Sequence, residues 1–304
     1  MRVVALDLGS NSLRGLKIDC DKKETLNTFH KTVRTADGLN RTKKISKEAI
    51  DRVIEALKEA DKILNFKDSI IEAVTTEALR QAKNSKEVLE EIKRATGVEF
   101  KIINGDNEAK YALIATKNRL QSLNIDVKSF VLVDIGGAST EVIFSYPKDS
   151  IFNSFSIGIV TLTQKYSSLD EIRLNIEKEM RDIKEFVDEV YQTNKRVEKF
   201  IAIAGTPTTI ASLKLGFTYK TYDPKKIHGT ALSIEDLDIQ LRRLLAMSKE
   251  EKIEAVGVGR EDLIASGVLI FKELYKILGF NKSIVIDDGI REGVAFSKCL
   301  SLEE

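Results

Sequence analysis

Cysteine, histidine and proline are scarce in this chain: two, two and three copies in 304 residues. Cys20 and Cys299 cannot make a disulfide framework and show no zinc spacing. A reducing cytosol fits such usage. His30 and His228 are too few for a histidine-rich metal site. With so few prolines and no low-complexity run, no flexible linker separates one part of the chain from another. An excess of one charge is also missing: 48 Lys plus Arg face 47 Asp plus Glu, for a net charge of +1. The whole chain therefore has no electrostatic draw toward nucleic acid or an anionic membrane. Met1 leads straight into Val3-Val4-Ala5-Leu6, a run far too short for a signal peptide or a membrane span. What is present suits a globular cytoplasmic protein. Hydrophobic residues make up 42%, enough for real cores. The length suggests about two domains.

Apolar runs and punctuation give the order of elements. Residues 2–8 read as a buried strand ending at Gly9, with 14–19 and 25–34 as antiparallel partners. Ser46 opens an amphipathic helix to about Leu64, with Ile50, Val53, Ile54, Leu57 and Ala60 on one face. Strands are predicted at 70–75 and 100–103, a helix at 85–96 ending at Gly97, and another at 106–120. The pattern then restarts. A strand at 130–133 runs into Asp134, with hairpin partners at 141–146 and 151–156. A long helical stretch follows at 169–191, then a strand at 200–204 and a helix at 208–213. Helices at 233–246 and 260–278, a strand at 283–287 and a helix at 289–300 complete the chain. Each half opens strand, glycine loop, hairpin. The reading is an α/β chain of two duplicated lobes, residues 1–122 and 123–288, with a cleft between them. The last helix, within 289–304, returns to the first lobe.

The two strand ends carry the chemistry. Asp7-Leu8-Gly9-Ser10-Asn11-Ser12 and Asp134-Ile135-Gly136-Gly137-Ala138-Ser139-Thr140 both read Asp, aliphatic, Gly, with Ser soon after. Glycine lets a tight turn bring backbone N–H groups close to an anion, and hydroxyls add donors. An aspartate there repels phosphate, so it suits Mg²⁺ held through waters. Arg14 can add charge-assisted bonds. Either loop alone is an ordinary Gly-Ser turn; the pair in register points to phosphate binding.

On these residues the chain resembles the exopolyphosphatase/guanosine pentaphosphate phosphohydrolase family, within the superfamily of actin, hexokinase and the heat-shock ATPases. Asp7 to Arg14 looks like the family's first phosphate loop, and Asp134 to Glu141 like its second. Val74-Thr75-Thr76-Glu77-Ala78-Leu79-Arg80 is similar to its Thr-x-Ala-x-Arg segment. Further matches are Ala204-Gly205-Thr206-Pro207-Thr208-Thr209, Tyr222-Asp223-Pro224 with His228-Gly229, and Asp287-Asp288-Gly289-Ile290-Arg291-Glu292-Gly293. Two positions depart from the pattern. Ala138 stands where the family's second loop usually has a third glycine, which requires an ordinary backbone angle there. Asn107 stands where the family usually has the first of two glutamates; Glu108 falls on the catalytic one. The chain resembles the short, two-domain members, without the extra helical domain of longer ones.

The resemblance implies ribonuclease H-like, actin-like domains and a Mg²⁺-dependent cytoplasmic enzyme of the stringent response, a homodimer acting on polyphosphate, on pppGpp or on both. Asp7, Asp134 and Glu141 organise the metal. Ser10, Asn11, Ser12, Arg14, Gly136, Gly137, Ser139, Thr140, Gly205 and Thr206 hold phosphate. Arg80 stabilises the terminal group and Glu108 directs or deprotonates the water. Plain structural readings stand beside these. Glu108 could be a first-turn acid favoured by the helix dipole, Arg80 a surface residue, Glu141 a solvent-facing strand residue. Gly205-Thr206 could cap a helix, as could Asp288, and His228 could be a packed, hydrogen-bonded histidine. Arg41-Thr42-Lys43-Lys44 reads as a solvated run. A phosphotransferase, a non-catalytic alarmone-binding regulator and an actin-like assembly protein remain the competing functions.

Overall fold

The computed structural model describes residues 1–22 and 24–302. Its contacts divide it into two units, Met1–Ala115 with Asp288–Glu304, and Thr116–Asp287. The first unit opens with β1 (Arg2–Leu8), β2 (Ser12–Asp19) and β3 (Glu24–Thr32). Then come α1 (Leu39–Thr42), α2 (Lys47–Leu64), β4 (Ile70–Thr75), α3 (Glu77–Gln81), α4 (Ser85–Thr96), β5 (Phe100–Ile102) and α5 (Gly105–Ser122). The division falls inside α5, whereas the sequence placed it just after that helix.

The second unit holds β6 (Phe130–Ile135), β7 (Thr140–Ser145), β8 (Ser150–Phe155), α6 (Ile159–Lys165), α7 (Leu169–Glu179), α8 (Arg181–Thr193) and β9 (Lys199–Ile203). It continues with α9 (Gly205–Lys214), α10 (Pro224–Ile227), β10 (Thr230–Ser233), α11 (Ile234–Ala246), α12 (Lys249–Val256), α13 (Ile264–Leu278) and β11 (Lys282–Val285). The last helix, α14 (Ile290–Leu300), belongs to the first unit.

The two sheets repeat one plan. The first has the order β3-β2-β1-β4-β5 and the second β10-β11-β9-β6-β7-β8. In each, a hairpin strand triplet lies beside parallel strands: β1 pairs in parallel with β4 and β4 with β5; β6 pairs in parallel with β9 and β9 with β11. Ligands of such sheets gather outside the carboxyl ends of the parallel strands. That edge carries the loops after β1, β4 and β5 in the first unit, and after β6, β9 and β11 in the second.

Local chemistry explains several boundaries. The Ser46 side chain accepts from the Ala49 N–H and starts α2. Gly97, in the left-handed region, stops α4. The α2 stripe of Ile50, Val53, Ile54, Leu57 and Leu64 is buried against the β2–β3 hairpin. Each such side chain is worth about 1.5–3 kcal/mol when buried. The opposite face of the sheet, with Val3, Ala5, Leu16 and Ile18, packs on Val294 and Ala295 of α14. The sequence read one helical stretch over 169–191. It is two helices, broken at Met180, which is fully buried with φ −99° and ψ 13°.

Cys20 and Cys299 are bonded to each other. They make no framework, but one cross-link, and it ties the end of α14 to the residue after β2. The cysteine count therefore gives no argument for a reducing compartment. No helix among the described residues is long and apolar enough to cross a membrane.

Candidate functional site

In the first unit the loop after β1 closes with the Gly9 N–H donating to the Ser12 carbonyl, 2.9 Å. The segment that follows β3 holds the other loop carbonyls. Ala36 N–H donates to Ser10 O at 2.8 Å, and the Val33 and Arg34 N–H groups to Asn11 O at 2.9 Å each. No peptide bond here is cis. In a trans peptide the N–H points opposite to its carbonyl. The N–H groups of Asn11 and Ser12 therefore point away from that segment, as an anion cradle requires. Ser10 and Asn11 are buried. Asn11 Oδ1 and Thr35 Oγ1 are buried oxygens with no hydrogen-bond partner, as expected of a site built around a missing polar group. Asp7 and Arg14 are directly opposed across β1 and β2.

The neighbouring strand ends bring in two charged side chains. Thr75 Oγ1 donates to Leu8 O at 2.8 Å and locks the end of β4 to the end of β1. One turn later, α3 carries Arg80. Beyond β5, Asn104 starts α5: its Oδ1 accepts from Asn107 N–H at 3.0 Å and its carbonyl from Glu108 N–H at 3.1 Å. Arg80 and Glu108, 28 residues apart, form an ion pair through Arg80 Nη1 and Glu108 Oε1. Nη1 also donates to the Ile103 carbonyl at 2.5 Å, and Nε to Glu77 Oε2 at 2.8 Å. Burial works against the Arg80 charge, but Glu108 and Glu77 outweigh it and hold the guanidinium firmly charged. Glu108 lies in the first turn of α5 and is 3% exposed, and the Arg80 side chain is 22% exposed. Sequence reasoning missed Glu77 as a partner. Its only signal was a carboxylate three positions before Arg80 on a helix.

The second unit repeats the loop. Gly136 N–H donates to Ser139 O at 2.9 Å, the counterpart of Gly9 and Ser12. Here α6 holds the carbonyls: Ile159 N–H donates to Gly136 O at 3.1 Å and Val160 N–H to Gly137 O at 2.7 Å. By the same peptide geometry the N–H groups of Gly137 and Ala138 point away from α6. Gly158 must be glycine, since a Cβ there would lie 2.5 Å from the Gly137 backbone. Ala138 is buried and keeps an ordinary negative φ, so the loop accepts its methyl group. Ser139 is buried beside it. The Thr140 hydroxyl is spent on the Ile157 carbonyl at 2.7 Å, so its proton is not available to a phosphate.

Asp134 and Glu141 are directly opposed across β6 and β7, and both are buried. Glu141, 2% exposed, is not solvent-facing; it accepts from Ser154 Oγ at 2.7 Å. Two carboxylates on one buried face repel each other, and a divalent cation relieves that. The donor set thus fits a hard cation, although no group of three or more His, Cys, Asp or Glu gathers among the described residues. Gly205 and Thr206 open α9, after Ala204 at φ 71° and ψ −169°. That region is essentially glycine-only and costs about 1–3 kcal/mol, a strain that tends to mark functional turns. Thr206 Oγ1 is buried without a partner. Neither residue serves as the helix cap.

His228 Nδ1 accepts from the Asp287 N–H at 3.1 Å, so it is a hydrogen-bonded histidine within the fold. At α14 the capping position is Gly289, not Asp288, and the Glu292 carboxylate accepts from the Gly289 N–H at 2.8 Å.

The Ppx/GppA phosphatase family model matches residues 18–302, almost the whole described chain. The chain belongs to the Ppx/GppA phosphatase family. Exopolyphosphatase 2 of Mycobacterium tuberculosis is 27% identical over 97% of this chain and 98% of its own length. A bifunctional 3-dehydroquinate synthase/phosphatase of Fusobacterium nucleatum is 28% identical over 95% of this chain, which spans only 46% of that protein. A crystal structure of the Aquifex aeolicus Ppx/GppA family member is 30% identical, with TM-score 0.73, covering 100% of this chain and 99% of its own. An exopolyphosphatase from Cytophaga hutchinsonii shares the fold at TM-score 0.85 and 21% identity, covering 99% of this chain and 98% of its own. The Ppx/GppA fold thus accounts for both sheets, and the repeated loops sit where its α/β plan sets ligands.

Proposed function

We propose that this chain is an exopolyphosphatase that removes the terminal phosphate of inorganic polyphosphate by attack of water. The observation that carries the reading is the part-buried Arg80–Glu108 pair, set after β4 and β5 on the same sheet edge as a phosphate-shaped loop after β1. A new bond forms between the water oxygen and the terminal phosphorus, and the bridging P–O bond breaks. The water proton passes to Glu108, which Arg80 holds in place through Nη1. The products are orthophosphate and a chain one phosphate shorter. The N–H groups of Asn11 and Ser12, with Ser10 and Arg14, hold phosphate oxygens. Those of Gly137 and Ala138, with Ser139, do the same in the second unit, and Gly205 and Thr206 add donors from the start of α9. Asp134 and Glu141 hold a divalent cation, with Asp7 reaching one through water; Mg²⁺ suits oxygen ligands and phosphates. The cation supplies neutralisation of the phosphate charge when bound. A second substrate in pppGpp, a homodimeric state and a cytoplasmic location belong to the same reading and rest on the family resemblance.

The test is phosphate release from polyphosphate and from pppGpp, side by side with Mg²⁺, for wild type and Glu108→Gln. A general base contributes about 10²–10⁴-fold, so the variant loses about that much turnover while still binding substrate. No release from either substrate by wild type overturns the enzyme reading. Equal turnover in Glu108→Gln removes Glu108 from its role.

A further inference from the structure

Glu77 is the group the mechanism leaves unused. It sits in the first turn of α3, where an acid is ordinarily explained by the helix dipole. Its carboxylate is instead spent on side chains. Oε1 accepts from Gln81 Nε2 at 2.6 Å, and Oε2 accepts from both Nε and Nη2 of Arg80. The residue is 8% exposed. Arg80 is therefore held on one edge by Glu77, and presents Nη1 to Glu108 and the Ile103 carbonyl.

We propose that Glu77 is a positioning residue, which fixes the plane of Arg80 and shares its charge so that Glu108 is not captured by a full positive charge of its own. The inference rests on the reading of Glu108 as the base. The Arg80 guanidinium thus lies between two carboxylates, Glu77 and Glu108. A lone Arg80–Glu108 pair would be neutral, and a carboxylate paired one-to-one with a buried guanidinium is a poorer proton acceptor. By drawing on the Arg80 charge, Glu77 leaves Glu108 a better proton acceptor than a one-to-one pair with Arg80 would. Arg80 and Glu77 face Glu108 from α3, and Asp106 and Lys110 lie two positions to either side of it on α5.

Glu77→Gln keeps the shape and the acceptor oxygen and removes the charge. Removing a negative charge near Glu108 disfavours its protonated form. The acid limb of the pH–rate profile for polyphosphate hydrolysis therefore moves down by about one pH unit. At neutral pH kcat falls about tenfold, with KM little changed. Glu77→Asp retains the charge with a shorter reach: its acid limb stays with wild type while kcat falls. If Glu77→Gln does not fold, Glu77→Ala, which also removes the charge, carries the test with the same expected shift of the limb. A merely structural Glu77 would alter thermal stability in both variants and leave the limb unmoved, and that result overturns the proposal. Wild type and Glu108→Gln are run alongside. If Glu108→Gln is as active as wild type, the reading of the base has failed and the proposal with it. If Glu108→Gln is impaired but the Glu77→Gln limb does not move, the proposal alone has failed.

Discussion

In the first hairpin the aspartate at the end of β1 faces Arg14; in the second its counterpart, Asp134, faces Glu141. The two partners stand at the same register in hairpins of the same design. Both loops close with the same N–H to carbonyl bond, 2.9 Å from Gly9 to Ser12 and from Gly136 to Ser139. Both turn the amides of the loop away from the segment that holds its carbonyls. The difference lies in one side chain. With arginine opposite aspartate, the first hairpin is neutral there and its amides can meet an anion directly. With glutamate opposite aspartate, the second sets two acids together, a pair that suits an anion when a cation comes with it. On the proposed function, a duplicated scaffold separates anion binding from cation binding by one cross-strand pair.

The sharpest way to break this contrast is to give the first hairpin the second one's pair. Arg14→Glu places two carboxylates opposite each other beside the first loop and removes a charge-assisted donor. Loss of one such donor costs about 10²–10³-fold in turnover. Phosphate release from polyphosphate reads it, and a variant within threefold of wild type would erase the distinction between the loops.

The units also differ in how they are closed. The first is assembled from two distant stretches of chain and is stapled by Cys20–Cys299, across a sequence separation of 279. The second is continuous, and among the described residues it has no disulfide. Cys299→Ser should cost the first unit about 2–5 kcal/mol. Calorimetry should then show a drop of roughly 5–15 °C in its unfolding, matched by wild type in reductant. An unchanged transition would mean that the packing of α14 on β1 and β2 suffices.

A smaller effect tests loop tightness. A Cβ on Gly136 would lie 2.9 Å from Ser139 O, whereas one on Gly9 would lie 3.7 Å from Ser12 O. Gly136→Ala is expected to destabilise by about 1–3 kcal/mol, and Gly9→Ala by well under 1 kcal/mol, by denaturant unfolding. The reverse ranking would show that the second loop has slack its geometry does not suggest. The mildest change is Glu141→Gln. It should raise the Mg²⁺ concentration for half-maximal activity about tenfold, the equivalent of about 1.4 kcal/mol in cation binding. No change in metal dependence would take Glu141 out of the cation's surroundings.

Much of this was readable from residues alone. The ends of β1 and β4, the Ser46 start of α2 and the Gly97 stop of α4 fell where apolar runs and capping chemistry put them. The helices α1, α3, α6, α10 and α12 and the strand β10 were not seen. They are short, and α6 owes its first turn to carbonyls of a distant loop rather than to a cap of its own. The break at Met180 carried no Gly or Pro to announce it. At the site, Arg80 and Glu108 were picked out by the family resemblance, but Glu77 joined them only once α3 placed its carboxylate under the guanidinium. The burial of Glu141 was equally hidden, because a strand's alternation does not say which face another layer will cover.

The sequence by itself determined the two hairpins and what each aspartate faces. Hairpin register is local: a tight turn and a fixed spacing decide it. It therefore determined the duplicated plan and the division between an arginine side and a glutamate side. Only the tertiary structure decided that Glu108 meets Arg80, that Cys299 meets Cys20, and that the loop carbonyls are held by 33–36 in one unit and α6 in the other. These contacts depend on parallel strand pairing and on a helix returning from the far end of the chain. Such pairings need long crossovers, and nothing in local spacing fixes which strand or helix will be the neighbour.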